Sequence, residues 1–295
     1  MATGRLTEDQ WIRRWLARWP KPHNLVLGAG DDCAILAPAN ANSQVVLKTD
    51  AIVQDVHFVI SDTPHLIGAK AVNRVLSDFA AMGAAPQTLM VSVGIPKKLH
   101  PAFVEKCYRG MAKAAAKHQV TLAGGETTRS KELWFSVSGI GKVAKGRAVL
   151  RSTAKAGDLI FVTGTLGGSL TSKKHLNFTP RLPEGQWLAN NKLATAMMDL
   201  SDGLGKDLPR LATASKLHFA ISAAQIPATP GCDKSQAVND GEDFELLFTV
   251  SPKNLKTLTA KWPFKTKLTP IGIMVSGKQS DTDNIEFLGF DHLQR

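Results

Sequence analysis

An α/β protein of two units is what this sequence predicts, on three observations. Short apolar runs alternate with stretches whose apolar residues recur at helical spacing. Acidic or glycine-rich segments follow directly on many of those runs, at the strand ends where α/β folds usually place ligands. The alternation then restarts after a basic loop near Arg151, which divides the chain into 1–150 and 151–295. Its 295 residues, 43% of them hydrophobic, are enough for two cores of ordinary size.

In the first unit, Thr7 and Gln10 have capping-box spacing. Trp11, Ile12, Trp15, Leu16 and Trp19 then share one helical face as far as Pro20, which reads as a docking helix with its aromatic stripe turned to the core or to a subunit. Val45 to Leu47 is a short strand delivering Thr49 and Asp50 at its end. Thr63 and Pro64 start a helix with Val72, Val75, Leu76 and Phe79 on one face, and Gly83 stops it. A strand from Thr88 to Val93, a helix from Pro101 to about Gln119 and a strand from Val120 to Ala123 follow, the last running into Gly124 and Gly125. Leu133 to Val143 alternates as a strand. The second unit opens with the strand Leu159 to Val162, leading into T-G-T-L-G-G-S. Ala194 to Leu200 comes next, followed by Ser201, Asp202, Gly203 and a helix carrying Leu204, Leu208 and Leu211. Leu246 to Val250 and Ile271 to Met274 are further strands.

Composition narrows the function classes. The net charge is +11, but the basic residues are dispersed and not interleaved with aromatics, which argues against nucleic acid and for a soluble surface or an anionic small-molecule substrate. Cys33, Cys107 and Cys232 are odd in number and far apart, which argues against a disulfide framework or a zinc site and fits a reducing cytoplasm. No signal-peptide core opens the chain, and the uncharged stretch from Phe79 to Pro96 reads as a helix end, turn and buried strand, so no membrane partner is expected.

Against that basic background, thirteen of the 25 acidic residues fall in six short segments built around Gly, Ser, Thr and Asn. They are G-D-D-C-A from Gly30, T-D-A-I-V-Q-D-V-H-F from Thr49, N-R-V-L-S-D from Asn73, G-G-E-T-T-R-S from Gly124, M-D-L-S-D-G-L-G-K-D from Met198 and D-G-E-D-F-E from Asp240. Two carboxylates 4 Å apart repel by about 4 kcal/mol at an effective dielectric of 20. Several sharing a cleft therefore call for protons or hard divalent cations, and all-oxygen ligands favour Mg²⁺, Ca²⁺ or Mn²⁺. Singly, each segment has a plainer account: Asp31 and Asp32 as a capped turn, Arg74 paired with Asp78 one helical turn on, Ser201 and Asp202 as helix caps, Asp240 to Glu245 as a solvated turn. Jointly, six such segments at element ends favour a metal site. No phosphate-binding P-loop, dinucleotide fingerprint, H-E-x-x-H or nucleophile elbow is present.

Taken in order, G-D-D-C-A, T-D-x-x-V-x-x-V-H-F, N-x-x-L-S-D-x-A-A-M-G-A, G-G-E-T-T-R-S, V-T-G-T-L-G-G-S, D-L-S-D-G-L-x-x-D-L and G-E-D-F-E-L-L-F-T resemble thiamine-monophosphate kinase, in the superfamily of aminoimidazole ribonucleotide synthetase and selenophosphate synthetase. The resemblance is collinear from about Gly28 to His292. It implies a two-domain ATP-binding fold whose N-terminal sheet joins a partner's in a homodimer barrel, and phosphoryl transfer from ATP to thiamine monophosphate with several Mg²⁺ ions. By position, Asp32, Thr49, Asp50, Asp78, Glu126, Asp199 and Asp202 would hold the metals, with Asp78 and Asp202 central to catalysis. Gly124, Gly125, Arg151 and Ser201 would contact ATP, and His57, Glu242 and Phe290 the thiamine moiety. Several departures mark this chain, one being a connection between Ser169 and His175 that is shorter than the family's usual one and would reshape the cleft rim. Glu126 stands where the family has Asp, and Asp55 where it has Gly. Lys48 precedes Thr49 where a small residue is common, which would set a fixed cation in place of part of a metal's charge. A related synthetase acting on another acceptor, and a non-catalytic nucleotide or thiamine-phosphate binder, stay open at this point.

Overall fold

The computed structural model describes Gln10 and residues 25–28, 30–40, 42–277 and 286–290, with the backbone alone for 38–40. Apart from Gln10, the helix expected from Thr7 to Trp19 lies outside the described residues. The first half forms β1 (Leu25–Leu27), β2 (Ala34–Asn40), β3 (Ser43–Val53), α1 (Pro64–Ala81), β4 (Ala85–Pro96), α2 (Pro101–Lys117), β5 (Thr121–Ser130) and β6 (Trp134–Ala144). Its sheet runs β1-β2-β3-β6-β4-β5. Only β4 and β5 pair in parallel, because α2 crosses between them, and every other neighbour pairs antiparallel.

The second half supplies β7 (Leu159–Thr163), α3 (Leu182–Asn190), β8 (Ala194–Asp199), α4 (Leu204–Ala214), β9 (His218–Ile221), α5 (Lys234–Asn239), β10 (Leu246–Val250), α6 (Leu255–Lys261) and β11 (Leu268–Val275). Its five-stranded sheet, β8-β10-β7-β11-β9, is antiparallel throughout. The architecture is thus mixed α/β with two sheets, as the alternation of patterns predicts. Among the described residues no helix is long and apolar enough to cross a membrane, and the uncharged stretch at Phe79 to Pro96 divides into the end of α1 and β4.

Helix α1 is the structural centre. Pro64 opens it at N1, where the missing N–H costs nothing, and it packs on α2, α3, β3, β6 and β8. Val72, Val75, Leu76 and Phe79 are fully buried in a core cluster that continues through Met197 and Phe248 of the second sheet. Each such side chain contributes about 1.5–3 kcal/mol. Helices α1 and α2 approach closely because Gly68 and Gly110 lack Cβ atoms, which would fall 1.8 Å from the Cys107 carbonyl oxygen and 1.9 Å from that of His65. On its far face the second sheet has its own core, with Leu204, Leu208 and Leu211 of α4 against Ile160, Val162 and Met198.

Two strands outrun expectation. β3 pairs with β6 from Ser43 to Val53, so Thr49 and Asp50 lie inside a strand and not at its end. β5 continues from Thr121 through Gly124 and Gly125 to Ser130 on the parallel register with β4, so the two glycines are strand residues and not a loop. Weak strand formers are carried along here by long-range pairing.

Candidate functional site

Three carboxylates from three elements meet between the sheets. Asp32 comes from the turn before β2, Asp78 from the last turn of α1 and Asp199 from the end of β8. All are buried, and one oxygen from each lies within 4.8 Å of the others. Arg151 grips Asp32 in a fork, Nε donating to Oδ2 at 3.0 Å and Nη2 to Oδ1 at 2.7 Å. Its backbone N–H donates to Asp31 Oδ2 at 3.0 Å. Lys48 Nζ lies 2.7 Å from Asp78 Oδ1, and Ser77 Oγ donates to Asp199 Oδ2 at 2.6 Å.

The cluster carries more negative charge than its cations answer. Burial pushes the Asp78 carboxyl well above the usual range, and Asp199, Asp50 and Asp32 add to this against the pull of Lys48. Burial and then Asp32 raise Asp199 to about 7. The same two causes raise Asp31 to about 7. Burial acts to lower Lys48, but Asp78 and Asp50 outweigh it and hold the ammonium above its ordinary value. Buried oxygens in surplus, with no sulfur or imidazole among the three, suit a hard divalent cation.

A second polar group adjoins the first through α1. Lys70, Arg74 and Asp78 stand four residues apart, and the second half of the chain covers the face they share. Arg74 does not pair with Asp78 as the helical spacing suggests. Its Nε and Nη2 donate to Asp50 at 2.9 and 3.3 Å and its Nη1 to Glu242 Oε1 at 3.0 Å. Lys70, fully buried, donates to Glu242 Oε2 at 2.5 Å and to the His57 carbonyl at 2.6 Å, with His175 Nδ1 at 2.8 Å. Burial would raise Glu242, but His175, Lys70 and Arg74 together bring it down to about 2. For Lys70 burial wins over the attraction of Glu242 and lowers it to about 8. Phe244 stacks on Phe178 with ring centroids 4.0 Å apart, beneath the Arg74 guanidinium.

The remaining expected residues spread around these two groups. Asp202 pairs with Arg210 at 2.5 Å, lies 3.5 Å from Lys206, and accepts at its carbonyl from Phe290 N–H at 3.1 Å. The Ser201 carbonyl accepts from Glu242 N–H at 2.7 Å, and His57 Nδ1 accepts from Val53 N–H at 3.1 Å. Thr49 is next to Asp50 in a strand and therefore faces the other way; its hydroxyl accepts from Ser138 Oγ at 3.0 Å. Glu126 sits exposed on the edge strand β5, which is three strands from β3, about 14 Å at the usual spacing, and outside the three-carboxylate group. Gly124 and Gly125 share that strand. Lys70, Arg74 and His175 were not legible as site residues, although Lys70, Arg74 and Asp78 at a spacing of four share one face of a helix that also carries apolar Ile67, Val72, Val75, Leu76 and Phe79.

Residues 30–143 match the family described as AIR synthase related protein, N-terminal domain. The thiamine-monophosphate kinase of Buchnera aphidicola subsp. Acyrthosiphon pisum is 35% identical over 303 residues, covering 92% of this chain and 92% of that protein. Among solved structures, AaThiL complexed with AMPPCP and TMP superposes with a TM-score of 0.84 at 27% identity, covering 99% of this chain and 100% of the other. Thiamine-monophosphate kinase from Stenotrophomonas maltophilia K279a does so with a TM-score of 0.76 at 31% identity, covering 94% and 96%. On identity sustained over nearly the whole length of both sequences, around a buried cluster of carboxylates, the chain belongs to the thiamine-monophosphate kinase family.

Proposed function

We propose that this chain transfers the γ-phosphoryl group of ATP to thiamine monophosphate in a Mg²⁺-dependent reaction, giving thiamine diphosphate and ADP. The observation that carries the reading is the convergence of Asp32, Asp78 and Asp199, buried and within 4.8 Å, in a chain with this ancestry. Phosphoryl transfer asks little covalent chemistry of a protein, since donor and acceptor have only to be aligned and their charge answered. Bound Mg²⁺ would supply charge neutralisation between the two polyanions. No general base is needed, because the acceptor phosphate is already ionised near neutral pH.

In this reading Asp32, Asp78 and Asp199 form the central ligand set, with Asp50 and Asp202 beside it. Thr49 and Glu126, both outside the cluster, are the peripheral members. Arg151 would reach an ATP phosphate from its seat on Asp32, and Ser201, Gly124 and Gly125 would offer backbone groups. His57, Glu242 and Phe290 would bound the thiamine moiety, Glu242 being held in place by Lys70 and Arg74. The units 1–150 and 151–295 would then close on the substrates from two sides. A homodimer is part of the proposal, supported by exposed Met90 and Ile140 on the outer face of the first sheet and by the exposed edge β5. A cytoplasmic setting fits three free cysteines.

The test is ADP release and phosphorus NMR with purified protein, thiamine monophosphate, ATP and millimolar Mg²⁺. A diphosphate product, lost in Asp78→Asn, is expected; absence of turnover on thiamine monophosphate overturns the assignment. Glu126→Gln tests the peripheral ligands, with a raised Mg²⁺ requirement as the expected result. Sedimentation velocity of Met90→Lys/Ile140→Lys checks the dimer, which the substitutions should dissociate.

A further inference from the structure

The Lys48 ammonium sits on an oxygen of Asp78, inside the group of three buried carboxylates. Residues 46, 48, 50 and 52 of β3 share the face turned toward α1, so the Lys48 side chain is aimed at the carboxylates by the pleat of the strand. Its Nζ lies 2.7 Å from Asp78 Oδ1, and its side chain is only 24% exposed. Asp50 adds a second attraction from the same strand. Arg151 meanwhile holds both oxygens of Asp32. With all three carboxylates ionised, the cluster's charge of three is answered twice by fixed cations, and Arg74 answers Asp50 separately.

We propose that Lys48 is a built-in cation of the carboxylate cluster that takes the place of one divalent ion. The site accordingly loads one metal fewer than its carboxylates alone would bind. The inference rests on the cluster being the metal site of the kinase reading above. One lone pair of Asp78 is committed to the ammonium, and a divalent ion approaching that oxygen meets a positive charge that the strand keeps in position. Asp32, Asp78 and Asp199 would hold the remaining ion through the oxygens Lys48 leaves open.

The test counts metals directly. Mn²⁺ is titrated into the full chain, with free Mn²⁺ read by electron paramagnetic resonance, for the natural protein, Lys48→Met and Asp78→Asn, with and without a non-hydrolysable ATP analogue. Lys48→Met should bind one more Mn²⁺ per chain, or bind its first at least tenfold more tightly, while Asp78→Asn should lose binding. An unchanged or weakened isotherm in Lys48→Met overturns the proposal. So does a loss confined to nucleotide affinity, which would make Lys48 a phosphate contact instead. If the natural protein binds no Mn²⁺ and Asp78→Asn matches it, the metal-site reading itself falls, an outcome distinct from the first two. Should Lys48→Met fail to fold by circular dichroism, Lys48→Gln provides the same comparison. Anomalous scattering from crystals of the natural protein grown in Mn²⁺ provides a further count, two or more ions against Asp32, Asp78 and Asp199 being the refuting result.

Discussion

Removing the charge of Glu242 should destabilise the protein by about 3 kcal/mol at pH 7. Glu242 accepts from Lys70 and Arg74, its side chain is 17% exposed, and that of Lys70 is wholly buried. Its carboxyl is brought from an ordinary 4.5 down to about 2. At 1.36 kcal/mol per pKa unit that difference is worth about 3 kcal/mol, the same order as breaking one side of a buried ion pair. Glu242→Gln keeps the size and one acceptor but leaves Lys70 facing a neutral amide.

The pH dependence follows from the sign of the shift. A carboxyl with a depressed folded value contributes its full stability above the unfolded value of 4.5, and loses it as pH falls toward about 2. Urea unfolding followed by tryptophan fluorescence should therefore give a gap between natural protein and Glu242→Gln of about 3 kcal/mol at pH 7, narrowing to about 2 kcal/mol at pH 3.5. Lys70→Met combined with Glu242→Gln should be more stable than Glu242→Gln alone, since the stranded ammonium is gone. A gap below 1 kcal/mol at pH 7, or one that does not narrow in acid, would refute the reasoning.

Three other outcomes are expected. Gly125→Ala places a Cβ 1.7 Å from the Val91 carbonyl oxygen, whereas a Cβ at Gly124 meets nothing within 4 Å, so by thermal melting Gly125→Ala should cost several times the 1–3 kcal/mol of backbone strain that Gly124→Ala incurs at its positive φ. In chelator at pH 8, Asp199→Asn should gain up to about 4 kcal/mol, because Asp199, with its value raised from 3.8 to about 7, is charged there at that cost. That gain should shrink as pH falls through 7, and any stabilisation by added Mg²⁺ should be lost. Phe178→Ala, removing the ring stacked on Phe244, should cost about 3–5 kcal/mol in urea unfolding and lower affinity for thiamine monophosphate more than for ATP.

Much of this candidate site was legible in the sequence for a physical reason. Oxygen ligands for a hard cation come from short segments at element ends, and such segments stand out when the rest of the chain is basic. What could not be read is which of them meet. Asp32, Asp78 and Asp199 are brought together by the packing of one sheet on α1 and of α1 on the other, a contact that no local pattern encodes. The face of α1 carrying Lys70, Arg74 and Asp78 looks like a solvated face with an i,i+4 pair for the same reason, since spacing reports that three charges share a face and is silent on what lies over it.

The length of β3 decides the rest. A strand ending at Leu47 leaves Thr49 and Asp50 in a loop, free to converge on one ion. A strand running to Val53 forces adjacent residues to opposite faces, sending Asp50 and Lys48 inward to α1 and Thr49 outward to Ser138. Strand propensity cannot distinguish the two, because K-T-D is a poor strand sequence that pairs only because β6 lies alongside it, more than eighty residues later in the chain. Once that pairing is granted, period two alone puts the Lys48 ammonium among the carboxylates. The charge of the cluster is therefore set by strand register as much as by the aspartates themselves.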